Sequence, residues 1–210
     1  MSGNAYERQL YTGPFVGADG TRSSGRASRT GEQVVSNVHG RHSESTSRGK
    51  VFMAQAIVTA PVIWTTEAGT GGPLLWNGSN SVECHILAVG FGITTVATAP
   101  GSIGLTGGYD QTAAPTSTTA IDSQGCMYVD ASTPAASVYR VGTTGTNRWF
   151  LPFSDAYTGA LTTQVTGGMQ WFNINGMIVV PYQSFVSISA SATLSTLVGN
   201  FAIIWEEVAV

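Results

Sequence analysis

Residues 169–210 read MQWFNINGMIVVPYQSFVSISASATLSTLVGNFAIIWEEVAV, and this segment carries the clearest prediction of secondary structure in the chain. Its β-branched and aromatic runs are separated by Asn175-Gly176, by Pro181 and by Gly199-Asn200. An Asn-Gly pair between two such runs favours the type I′ turn of a β-hairpin, because both central residues of that turn need a positive φ. We therefore predict a hairpin at Asn175-Gly176 and a second turn at Gly199-Asn200.

The last predicted strand, residues 201–205, is apolar on both faces, since its large residues alternate with Ala202 and Ile204. A strand of this kind must be covered on both sides. One cover is the core, and we expect the other to be a second layer or a neighbouring subunit. The pair Glu206-Glu207 that follows is interpreted as protection of the strand against edge pairing.

A second strand with two apolar faces is predicted over Val82–Thr95. Strict alternation places Val89 and Phe91 on one face, and Cys84 and Ile86 on the other. Large exposed apolar strips are rare on monomers, so we predict that these strands join copies of the chain into a homotrimer. The predicted trimer interface comprises Phe91, Ile93, Phe201, Ile203 and Trp205.

Composition favours an all-β fold. Charged residues make up only 10% of the 210 residues, and β-branched and aromatic residues outnumber good helix formers in most windows. After Lys50, about ten short strand-like runs bounded by turn residues follow one another, which is typical of a sandwich or jelly roll. Gly90 and Gly92 inside one run indicate a bulge or a close approach by another backbone. We predict an antiparallel β-sandwich of the jelly-roll (TNF-like) type over residues 51–210.

The first 50 residues differ in character and are predicted to form an extended arm. They hold seven of the nine basic residues and four of the twelve acidic ones, so their formal charge is +3 and that of the remainder is −6. Their low hydrophobicity predicts disorder in isolation. Spaced apolar anchors suit an arm that docks on an acidic partner, although a solvated tail is the alternative. The predicted docking residues are Tyr11, Phe15, Arg22, Arg26, Val34, Val35 and Val38.

No catalytic constellation is found in the sequence. His39 and His42 have the spacing of helical metal ligands, but the intervening Gly and Arg oppose a helix, and His85 is interpreted as a packed strand histidine. Asp110 and Asp155 are the loop carboxylates that a glycosidase would need to bring together, and loop aspartates more often stabilise turns. We therefore predict a non-enzymatic protein with no cofactor and no metal. The acidic body also argues against a nucleic-acid partner.

Three further features concern location and covalent chemistry. The sequence has no apolar run long enough for a membrane helix and no apolar signal region near the N-terminus, so we expect neither a membrane partner nor secretion. Cys84 and Cys126 are expected to be buried free thiols, with a disulfide between them as the alternative that spacing leaves open. The glycosylation pattern at residues 77–79 is interpreted as a turn.

Three segments resemble virion structural proteins of tailed bacteriophages. They are VHGRHSESTSRGKVFMAQ (Val38–Gln55), PLLWNGSNSVECHILAVGFGITT (Pro73–Thr95) and the terminal GNFAIIWEEVAV (residues 199–210). In those proteins a polar N-terminal arm precedes a jelly-roll domain that ends in a similar strand. The resemblance implies head decoration, cement or head-fibre proteins, usually trimeric, and it carries over no catalytic residues.

The resulting hypothesis is a capsid decoration or cement protein, made in the host cytoplasm and located on the capsid surface of the virion. Its arm is expected to bind the lattice of the major capsid protein, and its jelly roll to form the trimer. The alternative is a receptor-binding module of a fibre or tail, in which loops 109–119 and 154–168 contact host glycans. A carbohydrate-active enzyme is a third possibility, disfavoured by the scarcity of acids.

Overall fold

The computed structural model describes the greater part of the chain after residue 41. The described residues are 42, 45–46, 48–59, 63, 72–95, 97, 101–109, 114–119, 121, 123–127, 133–143, 147–156, 169–192, 194 and 196–210.

The chain divides into two units between Ser43 and Glu44, upstream of the boundary at Lys50 expected from composition. The side chain of Ser45 donates a hydrogen bond to the carboxylate of Glu206, and the Lys50 carbonyl accepts one from the Glu207 amide at 2.9 Å. These bonds attach residues 45–50 to the last strand of the second unit. Within the described residues, no helix is long and apolar enough to cross a membrane.

The described part of the second unit is built almost entirely from strands, in agreement with its β-branched and aromatic composition. The strands are β1 (Val51–Thr59), β2 (Leu74–Asn77), β3 (Val82–Thr95), β4 (Gly101–Gly108), β5 (Thr116–Thr119), β6 (Ser123–Cys126), β7 (Ser137–Tyr139), β8 (Val141–Thr143), β9 (Trp149–Ala156), β10 (Gln170–Val180), β11 (Ser184–Ala190) and β12 (Val198–Ala209).

Two five-stranded antiparallel sheets form a sandwich, which confirms the predicted all-β class. The first sheet has the order β10-β3-β12-β1-β6 and the second has the order β7-β2-β11-β4-β9, while β5 and β8 pair separately. Four of the pairings are nested along the chain: β1 pairs with β12, β2 with β11, β3 with β10 and β4 with β9. The first of these strands therefore pairs with the last, the second with the second-last, and so on toward the middle of the sequence.

The core lies between the two sheets and is apolar. Phe52 of β1 stacks on Trp205 of β12 with ring centroids 5.8 Å apart, and Phe91 stacks on Phe172 at the same separation. Full burial of a large apolar side chain contributes about 1.5 to 3 kcal/mol, so the buried rings of Phe52, Phe91 and Trp205 stabilise the core substantially. Strand β11 is buried at all seven positions, so both faces of this central strand are covered by the chain itself.

A bulge in β3 changes which residues face the core. Ala88 pairs with Ile204 and Ile86 pairs with Trp205, so Leu87 is an extra residue in β3. An extra residue reverses the alternation of side chains. Cys84 and Ile86 therefore share the inner face with Val89 and Phe91, and the predicted division of these residues between two faces was wrong.

The predicted hairpin at Asn175-Gly176 was also wrong. Both residues have the expected positive φ, 55° and 78°, yet they lie inside the continuous strand β10. The pairing with β3 jumps from Asn173–Ala88 to Ile178–Ile86, so residues 174–177 bulge opposite the single residue Leu87. Positive φ values serve a bulge as well as a turn, and the sequence pair alone does not distinguish the two.

The predicted turn at Gly199-Asn200 likewise lies within a strand. Both residues belong to β12, and an irregularity in its pairing with β3 falls between Val198 and Gly199. A Cβ atom on Gly199 would lie 2.9 Å from the carbonyl oxygen of Gly92 on the neighbouring strand. The glycine is therefore needed for close approach of two backbones, the role that sequence had assigned to Gly92 and Gly90.

Candidate functional site

The five residues predicted to form a trimer interface lie in or against the core of the single chain. Phe91, Phe201, Ile203 and Trp205 are buried between the sheets, and Ile93 is half-buried against the same cluster. The four buried side chains pack in the core of the same chain, so they present no surface to a neighbouring copy. The opposite sheet of the sandwich supplies the cover that the last strand required.

The seven residues predicted to dock on the capsid all lie in the first 38 positions, outside the described residues. Their role therefore stays a prediction from sequence.

The outer face of the first sheet, the side turned away from the core, carries a group of exposed apolar side chains. We call it the apolar face. Trp171 is 44% exposed, Met177 is 79% exposed, and both belong to β10. Cross-strand pairing joins Trp171 to Gly90 and Gly90 to Ala202. The exposed apolar members of this face are Ile57, Trp171, Met177, Val179 and Val208.

Trp171 lies directly over the backbone of Gly90. A Cβ atom on Gly90 would be 2.9 Å from the six-membered ring of Trp171 and 2.9 Å from Cε of Met169. The missing side chain in β3 thus allows the indole to pack against the neighbouring strand. This arrangement holds a large apolar ring on the surface in a fixed position, as a contact residue requires.

The sheet edges are poorly suited to pairing with another chain. The edge strand β10 contains the bulge at residues 174–177, and the edge strand β9 contains Pro152 together with a register shift opposite Ile103 and Gly104. The remaining described edges, β6 and β7, have only four and three residues. Bulges, prolines and short strands prevent edge-to-edge association. Association through the described part of the chain is therefore favoured at faces rather than at edges.

His85 lies on the outer side of β3, where it pairs with Val179 of β10 and Glu206 of β12. Its Nε2 atom is buried without a hydrogen-bond partner and lies 3.8 Å from the Glu83 carboxylate. Among the described residues, no three His, Cys, Asp or Glu side chains come together to hold a metal ion. His85 is therefore a partly buried histidine in a strand, as the sequence interpretation stated. His39 lies outside the described residues.

Asn77, which was predicted to lie in a turn, is a buried residue that stabilises the fold. The Asn77 side chain is buried and donates through Nδ2 to the carbonyls of Val82, at 2.8 Å, and Val180, at 3.0 Å. It also accepts from the Ser79 amide at 3.0 Å, which confirms the predicted turn. Because the amide nitrogen is enclosed, Asn77 is not available as a glycan acceptor in the folded chain.

Glu207 does not protect an edge, because β12 lies between β3 and β1 in the centre of its sheet. Its buried carboxylate accepts the amides of Ala135 and Ala136, both at 3.0 Å. The neighbouring Cys84 is a free, buried thiol, as predicted, whereas Cys126 is half-buried. Burial raises the pKa of Cys84, and the Glu207 carboxylate raises it further.

A cation and an aromatic ring meet at one end of the second sheet. The guanidinium carbon of Arg148 lies 4.9 Å from the ring centroid of Tyr109, which is 52% exposed. Tyr109 belongs to the loop that sequence analysis considered for receptor contact. Arg148 was not singled out, although its position beside an aromatic run and its rarity in an acidic body were visible signals.

The apolar face was also missed by sequence reasoning. The signal was present in the alternation of β10, where Trp171 and Phe172 are adjacent and must face opposite sides. Comparisons of the chain with protein-family models, with curated proteins and with solved structures find no match.

Proposed function

We propose that this chain is a non-enzymatic bacteriophage virion protein that decorates or cements the capsid. The observation that carries the proposal is the nested pairing of the eight principal strands, β1 with β12, β2 with β11, β3 with β10 and β4 with β9. A long hairpin rolled into two sheets pairs its strands in this order, and that is the arrangement of a jelly roll. Jelly rolls are common in viral capsid proteins, and the three phage-like segments point the same way.

The proposed self-association uses the apolar face. Exposed apolar groups on both β10 and β12, among them Trp171, Val179 and Val208, form a surface that favours burial against another protein. A second and a third copy of the chain are the proposed occupants, which gives the homotrimer. The proposed interface therefore lies on the outer side of the first sheet, whereas the interface residues predicted from sequence lie on its inner side.

The proposed capsid attachment uses the N-terminal arm. Each apolar anchor contributes about 1.5 to 3 kcal/mol if it is fully buried, whereas an exposed ion pair contributes at most about 1 kcal/mol. The apolar anchors are therefore expected to dominate binding, with three arms per trimer acting together.

Light scattering on the full chain tests self-association. Wild type is expected at three times the subunit mass at micromolar concentration. Trp171→Glu places a charge on the apolar face and should shift the protein to monomer. Leu151→Glu is the matched control, because Leu151 is also 44% exposed but lies on the second sheet. A wild-type monomer, or equal effects of the two variants, would refute the proposed interface.

Reattachment to capsids lacking the protein tests the function itself. The double variant Phe15→Ala with Val35→Ala should reduce attachment strongly, and Arg22→Ala with Arg26→Ala should reduce it less. Loss of attachment only in the arginine variant would contradict the role of the apolar anchors. Immunogold labelling of whole particles separates the main proposal from the alternative: label over the head supports decoration, and label confined to the tail tip supports receptor binding.

A further inference from the structure

Arg148 and Tyr109 occupy the same end of the second sheet. Strand β4 ends at Gly108, next to Tyr109, and Arg148 directly precedes β9, which pairs with β4. The turn before β11 reaches this end as well, since Phe185 pairs with Gly108. That turn contains Tyr182, which is 49% exposed. Two exposed tyrosines and one exposed arginine therefore lie along one rim of the sandwich.

The backbone of Arg148 is held firmly. Its amide donates to the Gly107 carbonyl at 2.8 Å. The next residue, Trp149, lies over Gly107, where a Cβ atom would be 2.3 Å from the indole, and its carbonyl accepts a hydrogen bond from Oγ1 of Thr106 at 2.8 Å. The guanidinium itself stacks over the Tyr109 ring. Little conformational freedom is left to lose when a ligand binds, which favours affinity.

The charge of Arg148 is unusual in its surroundings. Residues 51–210 contain two basic residues, Arg140 and Arg148, against eight acidic ones. Arg140 donates through Nε to the Ile57 carbonyl at 2.8 Å, which engages it within the fold. The Arg148 guanidinium contacts the Tyr109 ring. Arg148 is an exposed residue, so a ligand in solution can reach it.

A guanidinium fork binds a planar carboxylate through two parallel hydrogen bonds, whereas an exposed tyrosine ring packs against an apolar surface and offers a hydroxyl group. A carboxylate-bearing sugar supplies both partners, since its acid group is planar and its ring has an apolar C–H face. We propose that Arg148 and Tyr109 form a binding site for an acidic sugar, with Tyr182 as a second aromatic contact on the same rim. This proposal is independent of the decoration role.

Titration of the full chain with 3′-sialyllactose, followed by NMR, tests the site. Lactose is the matched ligand without the carboxylate. Loss of a bidentate charged contact is expected to weaken binding about ten-fold or more, so lactose and the Arg148→Gln variant should both show that loss. Arg148→Lys keeps the charge but not the fork and should fall between. Tyr109→Leu should weaken binding, and Leu151→Ser, on the same strand β9, should leave it unchanged.

Four outcomes would overturn the proposal. They are equal binding of lactose and sialyllactose, unchanged affinity in Arg148→Gln, displacement by sulfate with no effect of Tyr109→Leu, and tighter binding of an Asp-Glu peptide than of sialyllactose. The third result indicates a simple anion site, and the fourth indicates a protein partner. Thermal melting of each variant verifies the fold, since substitution of these exposed side chains should leave the melting temperature nearly unchanged.

Discussion

The carboxylate of Glu207 accepts the backbone amide of Ala136 at 3.0 Å, in a buried position at the end of the sandwich core. Its second oxygen accepts the adjacent amide of Ala135 at the same distance. One side chain from the central strand β12 thereby fixes the segment that leads into β7. The buried amide of Ala136 and the part-buried amide of Ala135 both depend on this single carboxylate.

Glu207→Ala is expected to destabilise the chain by about 2 to 4 kcal/mol, because one buried and one part-buried donor lose a charged acceptor. Urea unfolding measures the loss. Glu83→Ala serves as the control, since the Glu83 side chain is 41% exposed and should change the free energy of unfolding by less than about 0.5 kcal/mol. Equal losses in the two variants would show that the Glu207 contacts do not stabilise the fold.

Asn77→Asp keeps the shape of the side chain and removes its donors. The carbonyls of Val82 and Val180 would each lose a hydrogen bond and face a carboxylate instead. We expect a loss of about 3 kcal/mol or more in chemical denaturation, because buried unsatisfied groups each cost about 1 to 3 kcal/mol. Asn173→Asp, the same change at an exposed position of β10, is the control. A neutral Asn77→Asp would contradict the buried geometry.

Three glycines in strands offer a graded test of packing. A Cβ atom on Gly104 would lie 2.4 Å from the Leu151 carbonyl oxygen, one on Gly90 would meet the side chains of Trp171 and Met169, and one on Gly125 would meet nothing within 4 Å. Backbone cannot move aside as side chains can. The loss of stability on mutation to Ala should therefore decrease in the order Gly104, Gly90, Gly125.

The Gly90→Ala variant has a second readout. The indole of Trp171 must shift toward solvent, so its tryptophan fluorescence should move to longer wavelength, whereas Gly125→Ala should leave the spectrum unchanged. If Gly104→Ala proved no more costly than Gly125→Ala, the close approach of β4 and β9 at this point would be incorrect.

The buried Cys84 thiol should make the free energy of unfolding depend on pH in the alkaline range. Its pKa is raised above the ordinary value of 9.0 by burial and by the Glu207 carboxylate, so above pH 9 the unfolded chain releases this proton while the folded chain retains it. The contribution of Cys84 to the free energy of unfolding is constant below pH 9 and falls by about 1.4 kcal/mol per pH unit above it. Comparing Cys84→Ala with wild type isolates this contribution: their difference in unfolding free energy should change above pH 9 with that slope.

Thiol labelling provides an independent measurement. In the native protein at pH 8, Cys126 should react faster than the buried Cys84, and both should react in urea. Rapid labelling of both thiols in the native state would be incompatible with the enclosed position of Cys84.

Local chemistry in the sequence was sufficient to predict the all-β class of the fold. Runs of β-branched and aromatic residues predicted the strands, and Asn175-Gly176 was correctly identified as a position of positive φ, because both properties depend on residues adjacent in the chain. The Asn77 turn and the free state of Cys84 were likewise predictable, the first from a local turn signal and the second from an apolar strand. None of these features requires knowledge of a distant partner.

Long-range packing determined the rest. The bulge at Leu87 reverses the faces of β3, and it is defined by pairing with two strands far along the chain, β10 and β12. The same pairing places Trp205 in the core and Trp171 on the apolar face, and the central position of β12 buries Glu207. Which side of a strand is buried depends on register, and one extra residue inverts it. Register is set by pairs far apart in sequence, so the candidate surfaces became visible only in the folded chain.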